Sequence, residues 1–468
     1  MSTRPPRAIR LWRALPAQLL PFADAVEGLP LARLMRLALI QVSVGIALTL
    51  LNGTLNRVMI VEIGIPAWQV AAFIALPLLL APVRALFGFK SDTHRSALGW
   101  RRVPYIWMGT MALFGGLALM PMSLLLMSGM STSAGAPIAG HIGALFAFFL
   151  IGVGIHMTQT AGLALACDLA PVERRPRVVA LLYVALLLAM LVSAIAFGAI
   201  LDDFTPRRLF EAVSGAAMVA AAFNLIALWK QEGRNSAPVD ETASLSLAQA
   251  WQAFDRSGRA RRLLVTVALV TAGFNMQDVL LEPYGGEILH LSVGATTMLT
   301  AIWAVGSLGG FWFAAKRLRE GVDPYMCAAQ GILIGIPGFS AVIFSGALDM
   351  PLLFRFGALL IGLGGGLASV SLLSAATGLA EEARFGFAVG AWGAAQALSA
   401  GIATATGGAL RDMGRELLPA SLGRPDAAYA IVYHLEIALL FGALIALGPL
   451  ASRDRRANGR FAMPEFPA

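Results

Sequence analysis

Twelve apolar segments, each about as long as a membrane-spanning helix, constrain this chain more than any other feature. An α-helix rises 1.5 Å per residue, so roughly 20 apolar residues cross the hydrocarbon layer of a bilayer. Only helices and closed barrels satisfy all backbone hydrogen bonds there, and segments of this length favour helices. The apolar runs lie at residues 37–61, 66–87, 104–127, 142–167, 177–200, 210–229, 263–284, 293–314, 325–346, 353–379, 387–409 and 429–450.

The longest polar stretch, Gln231–Arg262, divides these runs into six and six. A Leu-Ala-x-x-x-Arg pattern begins at Leu169, after the fourth run, and recurs 210 residues later at Leu379, after the tenth. Two parallel six-helix halves are the plan of major facilitator transporters. We therefore predict an all-α membrane protein with twelve transmembrane helices, in the major facilitator fold of two six-helix halves.

The same division predicts five regions. They are a basic cytoplasmic or interfacial segment at 1–33, an N-terminal six-helix bundle at 34–230, a cytoplasmic linker at 231–262, a C-terminal six-helix bundle at 263–450 and a cytoplasmic tail at 451–468.

Basic residues indicate the orientation, because Lys and Arg concentrate in the cytoplasmic loops of membrane proteins. If both termini are cytoplasmic, 28 of the 35 basic residues fall on the inner side. The other seven are Arg57, Arg207, Arg208, Arg355, Arg411, Arg415 and Arg424. We therefore predict a multi-pass protein of a bacterial inner membrane with both termini cytoplasmic.

Composition and motifs exclude several functional classes. The chain is 58% hydrophobic and only 13% charged, whereas soluble proteins carry roughly 25% charged residues. Its net charge of +8 does not indicate nucleic acid, because the basic residues lie in short loops between apolar runs. Cys167 and Cys327 lack metal-ligand spacing, and no Walker, Rossmann or nucleophile-elbow motif stands in a supporting context. We predict no metal site, no nucleic-acid partner and no enzymatic activity.

Polar residues inside two apolar runs mark a candidate site. Unpaired polar groups at membrane depth cost several kcal/mol, so they face the bundle interior and find partners. The two runs occupy equivalent places in the halves, and both a proton or solute relay and a static lock between the halves stay open. The residues are Asn52, Asn56 and Arg57 in the first run, with Glu62 at its outer end, and Asn275, Gln277, Asp278 and Glu282 in the seventh.

Helix rise predicts a partner for Arg57. We take Arg36 and Arg262 as markers of the inner surface. On that scale Arg57 and Glu282 are level within about 2 Å, because they lie 21 and 20 residues further along the chain. Asp278 lies about 8 Å closer to the inner surface, within reach only of a long side chain. We predict an ion pair between Arg57 and Glu282, with Asp278 as the alternative, that joins the outer ends of the halves.

Charged residues in the inner loops predict ion pairs at the cytoplasmic surface. The loop 88–102 places Asp92 before Arg101 and Arg102, in an order similar to the glycine, aspartate and Gly-Arg-Arg pattern of major facilitator proteins. Its Asp-to-Gly interval is longer than usual, and a basic loop without a gating role is the alternative. Asp168 ends the fourth run and can pair with an arginine of its own or a neighbouring loop.

Two histidines inside apolar runs are candidate axial ligands for a chlorin magnesium or a haem iron, because imidazole commonly ligates metals. His156 lies near mid-membrane in the fourth run, and His434 lies near the start of the twelfth. For each, the alternative is a hydrogen-bonded packing residue.

Three segments together go beyond the general transporter pattern. They are GTLNRVMIVE at 53–62, SDTHRSALGWRRVPYIW at 91–107 and QDVLLEPYG at 277–285. They resemble the PucC/LhaA family, the bacteriochlorophyll-delivery branch of the major facilitator superfamily in purple phototrophs, and the resemblance runs from about Leu31 to Leu450. The second segment is more similar to the LhaA branch, which serves the core antenna, than to the PucC branch, which serves the peripheral antenna.

The resemblance implies an assembly factor for the photosynthetic core light-harvesting antenna, which binds bacteriochlorophyll or delivers it to nascent antenna polypeptides. It also implies partners: the antenna polypeptides, reaction-centre assembly intermediates, the bacteriochlorophyll synthase and membrane lipids. The residues themselves leave open a proton-coupled transporter of a small solute. A pigment carrier predicts an apolar groove between lipid-facing helices, whereas a transporter predicts a closed central cavity with a titrating carboxylate.

Overall fold

The computed structural model describes residues 31–83, 87, 100–128, 135–171, 175–229, 231, 258–379, 385–417 and 426–457. Every secondary-structure element in these residues is helical, which confirms the all-α prediction. The α-helices are α1 Leu31–Thr49, α2 Ala67–Leu79, α3 Val103–Met127, α4 Ala136–Leu169, α5 Arg175–Ile200, α6 Pro206–Leu228, α7 Arg259–Asn275, α8 Leu281–Glu287, α9 Val293–Arg319, α10 Pro324–Ala347, α11 Pro351–Gly378, α12 Phe385–Leu417 and α13 Ala427–Ala457.

Ten helical spans in the described part of the chain are long and apolar enough to cross a membrane. One of them runs from α1 through two π-helical segments to Glu62, and another joins α7 to α8. The shorter apolar helix α2 and the long helix α12 stand at the two other predicted positions. The predicted membrane fold is therefore confirmed, and we call the side on which α8 ends the outer side.

Several helix ends differ from the apolar runs. Helix α2 ends at Leu79, well before residue 87, because the chain turns at residues 80–82 and Pro82 has no N–H to continue the helix. Helix α4 begins at Ala136 and α12 ends at Leu417, both outside the predicted runs. Hydropathy locates only the hydrocarbon-crossing part of a helix, whereas backbone hydrogen bonding continues through polar residues.

The two halves pack together along two seams, α2 against α12 and α5 against α9. Both seams depend on glycine, because backbones this close leave no room for a side chain. A Cβ atom on Gly408 of α12 would lie 2.7 Å from the Ala67 carbonyl oxygen, and one on Gly198 of α5 would lie 3.1 Å from the Gly294 carbonyl oxygen. The predicted boundaries of the halves stay predictions, because most of the linker 231–262 lies outside the described residues.

Candidate functional site

The helices that carry the predicted polar residues are both irregular. The first span winds as a π-helix over Leu50–Leu55 and again over Val58–Glu62. The seventh breaks between α7 and α8 into a 3₁₀-helix at Met276–Val279. π-helical turns are frequent at functional sites, and interrupted helices at corresponding places in two halves mark binding sites in transporters. The polar residues therefore lie where the backbone departs from α-helical geometry.

Hydrogen bonds across these irregular segments join the two halves. The Asn56 amide donates to the Asp278 carbonyl oxygen at 3.1 Å, and the Thr54 and Thr297 hydroxyl oxygens lie 3.4 Å apart. The Arg57 guanidinium donates to the Leu291 carbonyl oxygen at 3.0 Å. The interface on the outer side is closed by these contacts. We call this region the polar interface.

The predicted ion pair between Arg57 and Glu282 is wrong. Arg57 pairs with Glu62 on its own span, and its guanidinium packs against Gly286. Glu282 accepts instead from the Thr300 hydroxyl at 2.8 Å. The reason is the winding of the first span, because a π-helix places residue i+5 beside residue i. The depth argument assumed α-helical geometry, in which Glu62, five residues further along the chain, does not face Arg57.

Asp278, the alternative partner, also lacks a basic neighbour. Its two carboxylate oxygens accept from the Asn275 and Gln277 side-chain amides, each at 2.7 Å. Among the described residues no Lys or Arg nitrogen lies within 4.0 Å of it. Its predicted role in an ion pair is therefore wrong, and its contacts are local to the helix break.

The predicted polar interior is buried to different degrees. Asn56 and Gln277 are buried, whereas Asn52 and Asn275 are partly exposed. Asn52 lies in the first π-helical segment, and Asn275 ends α7. These residues line one interface, but only Asn56 donates a side-chain hydrogen bond across it to the seventh span.

Glu436 completes the polar interface and was missed from the sequence. It lies on α13, is fully buried, and accepts the backbone N–H of Gln277 at 2.7 Å. Its other carboxylate oxygen has no partner among the described residues. The signal was readable, because it is the only acidic residue in the run 429–450.

We expect Glu436→Ala to lower the free energy of unfolding by about 1–3 kcal/mol, because the Gln277 N–H is left buried without an acceptor. Glu436→Gln keeps an acceptor oxygen and should lose less. Thermal unfolding of the purified protein in detergent measures both, with the exposed acid variant Glu416→Ala as control. A Glu436→Ala protein as stable as the control contradicts the assigned contact.

A second missed cluster, the outer clamp, consists of Arg411, Asp412, Glu287 and Tyr429. Arg411 is 3% exposed and pairs with Glu287 at 2.5 Å and Asp412 at 2.8 Å. Tyr429 donates to Glu287 at 2.9 Å. Asp412 accepts the backbone N–H of Trp68 at 2.8 Å and so joins the start of α2 to the other half. Arg411 lies beyond the apolar run 387–409 and is still helical, because α12 continues through it to Leu417.

Ion pairing at the inner ends of α3 and α4 agrees with the prediction made from the sequence. Asp168 lies 3.2 Å from the nearest Arg101 nitrogen and 3.1 Å from the nearest Arg102 nitrogen. The acid thus pairs with a neighbouring loop, as one of the two alternatives predicted. Asp92 lies outside the described residues, and its predicted role stays a prediction.

The two candidate histidines differ in which ring nitrogen contacts a backbone carbonyl oxygen. Nε2 of His156 lies 2.6 Å from the Pro77 carbonyl oxygen, and the side chain is buried. A carbonyl only accepts, so Nε2 carries the proton and cannot ligate a metal. That carbonyl lies at the end of α2, where the Ala81 N–H bonds to Leu78 instead. This contact supports the packing alternative for His156. A metal would have to bind through its Nδ1, so the ligand prediction for His156 stays a prediction.

His434 has the opposite arrangement. Its Nδ1 lies 2.6 Å from the Ala430 carbonyl oxygen of its own helix, and the side chain is exposed on α13. The proton is on Nδ1, which leaves the lone pair on Nε2. Histidines that bind metals commonly donate their other ring N–H to a carbonyl in this way. His434 presents this nitrogen on an apolar helix surface, about 10 Å from the outer start of α13.

Comparison with known proteins assigns the family. Residues 54–455 match the family described as PUCC protein. Protein PucC of Rhodovulum sulfidophilum is 51% identical over 399 residues, covering 84% of this chain and 88% of that protein. The protein of Rhodobacter capsulatus described as "Uncharacterized protein in puhA-bchM intergenic region" is 49% identical over 462 residues, covering 96% and 97%.

Solved structures show the fold. An inward-facing bacterial homologue of the human lysosomal transporter Spinster has a TM-score of 0.67 at 15% identity, covering 90% of this chain and 96% of that one. This similarity confirms the major facilitator fold and carries no statement about substrate. The chain therefore belongs to the PucC family of membrane proteins.

Proposed function

We propose that this protein is a non-enzymatic assembly factor of the photosynthetic core antenna in the inner membrane of a purple bacterium. It carries bacteriochlorophyll along its lipid-facing surface and delivers it to nascent antenna polypeptides around the reaction centre. Both termini are cytoplasmic, and the pigment comes from the bacteriochlorophyll synthase. The observation that carries the proposal is the family match over residues 54–455.

The location of the hollows supports lateral handling of an apolar cargo. The two best-defined hollows among the described residues lie near the inner side, one between α9 and α10 and one between α1 and α6. Neither lies on the axis between the halves, where the polar interface and the outer clamp close the outer side. A chlorin with a long hydrocarbon tail is too apolar for a polar channel, and antenna helices receive it only from the side.

His434 is the residue best suited to hold the magnesium of such a pigment. We expect His434→Phe to reduce the chlorin that copurifies with the protein, because phenylalanine keeps the apolar surface but has no lone pair. His141→Phe is the matched control, because His141 makes the same Nδ1 contact with a carbonyl four residues back, at 2.7 Å. Pigment extraction and absorption spectroscopy give the stoichiometry. Equal losses in the two variants exclude His434 as the specific ligand.

A deletion strain tests the biological role. We expect loss of this protein to lower the absorption of the assembled core antenna while free bacteriochlorophyll synthesis continues. Complementation with the wild-type chain should restore the core antenna. Normal core-antenna absorption in a strain without any related protein contradicts the proposal.

One observation favours a second candidate, a proton-coupled transporter. Glu282 and Glu436 are buried and Asp278 is partly buried, and in the described part of the chain no Lys or Arg nitrogen stands within 4.0 Å of their carboxylates. Acidic residues within membrane-spanning helices mark proton relays in pumps and transporters. Proteoliposomes with a pH-sensitive dye inside test this function. If wild type conducts protons and Glu436→Gln does not, the result supports the transporter function. If the flux with wild type does not exceed that of empty liposomes, the transporter function is excluded.

A further inference from the structure

A groove on the lipid-facing surface combines a polar end with apolar walls. It has a volume of about 440 Å³ and lies between the end of α9 and the start of α10. Its lining consists of Phe313, Arg317, Gln330, Leu333 and Ile334. The polar residues lie nearer the inner ends of the helices, and Leu333 and Ile334 lie further toward the membrane centre. We call this the Arg317 groove.

The charge at the polar end is poorly neutralised. The nearest carboxylate oxygen to Arg317 belongs to Glu320 and is 4.0 Å away, at the limit of an ion pair between partly exposed side chains. The guanidinium lies 5.8 Å from the centre of the Phe313 ring. Arg317 Nε and Gln330 Oε1 have no hydrogen-bond partner in the described residues. Both of these atoms are buried, so what the groove offers to a ligand is the positive charge of Arg317 beside the Gln330 side chain.

Neighbouring residues strengthen the positive potential. Lys316 and Arg319 are exposed on the same turn of α9, and Lys316 lies over the Trp312 ring at 5.7 Å from its centre. Basic pockets between transmembrane helices on the cytoplasmic side bind anionic lipid head groups. The second hollow also has an arginine in its lining, since Arg36 lies beside Leu225, Ile226 and Trp229 there. An arginine beside apolar walls thus occurs at both grooves.

We propose that the Arg317 groove binds one anionic phospholipid of the inner leaflet. The phosphate lies beside the Arg317 guanidinium, and the head group packs against the Gln330 side chain. One acyl chain follows Leu333 and Ile334 toward the membrane centre. The positive charge toward the inner end of the groove and the apolar wall toward the membrane centre match the phosphate and the acyl chain of the lipid. The proposal stands on these contacts alone and is independent of pigment handling.

Native mass spectrometry of the full chain in mild detergent tests it. Phosphatidylglycerol and phosphatidylcholine with the same acyl chains are added separately, and the fraction of protein that retains one lipid is measured. We expect wild type to retain phosphatidylglycerol in preference to phosphatidylcholine. Arg317→Gln should lower phosphatidylglycerol retention about fivefold, because a basic residue near the membrane surface contributes about 1 kcal/mol.

Arg319→Gln is the matched control, since it removes the same charge from the same helix but lies outside the groove lining. Equal retention by the two variants, or equal retention of both lipids by wild type, overturns the proposal. Leu333→Trp fills the groove without changing the charge and should lower retention of phosphatidylglycerol as well. It also decides the outcome if Arg317→Gln does not fold, since unchanged retention in Leu333→Trp overturns the proposal.

Discussion

Glu62→Gln should lower the free energy of unfolding by about 3 kcal/mol, near the low end expected for breaking a buried pair, because it leaves the buried Arg57 guanidinium without its carboxylate while Glu62 itself is partly exposed. Glu282→Gln should cost much less, since Glu282 contacts Thr300 and forms no ion pair with Arg57. Denaturant or thermal unfolding in detergent compares the two variants directly. Each variant replaces one acidic residue of the wild-type protein, so a general effect of the lost negative charge is the same in both.

Double variants identify the partner independently. Arg57→Ala with Glu62→Ala should recover part of the stability that the worse single variant loses, because no orphan charge remains. Arg57→Ala with Glu282→Ala should show no such recovery. The reverse pattern, with recovery only in the Glu282 pair, would restore the cross-helix ion pair expected from depth and contradict the π-helical account.

Arg411→Gln should lower the free energy of unfolding by about 3 kcal/mol, near the low end expected for breaking a buried pair. Glu287 and Asp412 lose their cation, but both keep some contact with water, which reduces the cost. The variant should also loosen the outer side, because Asp412 holds the start of α2 through the Trp68 N–H.

Arg415→Gln is the control for the outer clamp, because Arg415 lies one turn further along α12 and is exposed. Its unfolding should resemble that of wild type. Distances between spin labels on α2 and α12 report the opening. If Arg411→Gln is as stable as Arg415→Gln and the label distances stay the same, Arg411 does not hold the halves together.

The fold could be predicted because apolar length is a direct consequence of bilayer thickness. The ion pairs at the inner surface could also be predicted, since Asp168 and the arginines at 101 and 102 lie at helix ends on one side of the membrane. Helix ends were harder. The end of α2 depends on Pro82, and the hydropathy of the run 66–87 does not show that the helix ends there.

The polar interface could be predicted in location but not in pairing. The residues that form it are visible as polar side chains inside apolar runs, and Glu436 carries the same signal. The partner of Arg57 depends on a π-helical turn, which the residue propensities of the sequence 50–62 do not predict. Arg411 is buried only because α12 extends to Leu417 and brings it to Glu287 and Tyr429 from two other helices.

The role of each histidine depended on contacts that no sequence pattern shows. His156 lies at mid-membrane depth and was the more attractive ligand, yet the end of α2 occupies its Nε2. His434 lies nearer the outer surface, and only its exposure and its Nδ1 contact distinguish it. A ligand at the lipid-facing surface is consistent with delivery from the side, since the acceptor helices lie in the same bilayer.

The most direct measurement of the central claim is the absorption spectrum of the full chain purified from a phototrophic host in a mild detergent with native lipid. Pigment handling predicts a chlorin band that stays with the protein through purification and that diminishes in His434→Phe but not in His141→Phe. A well-folded wild-type protein that carries no chlorin, even when purified from cells rich in bacteriochlorophyll, would contradict it.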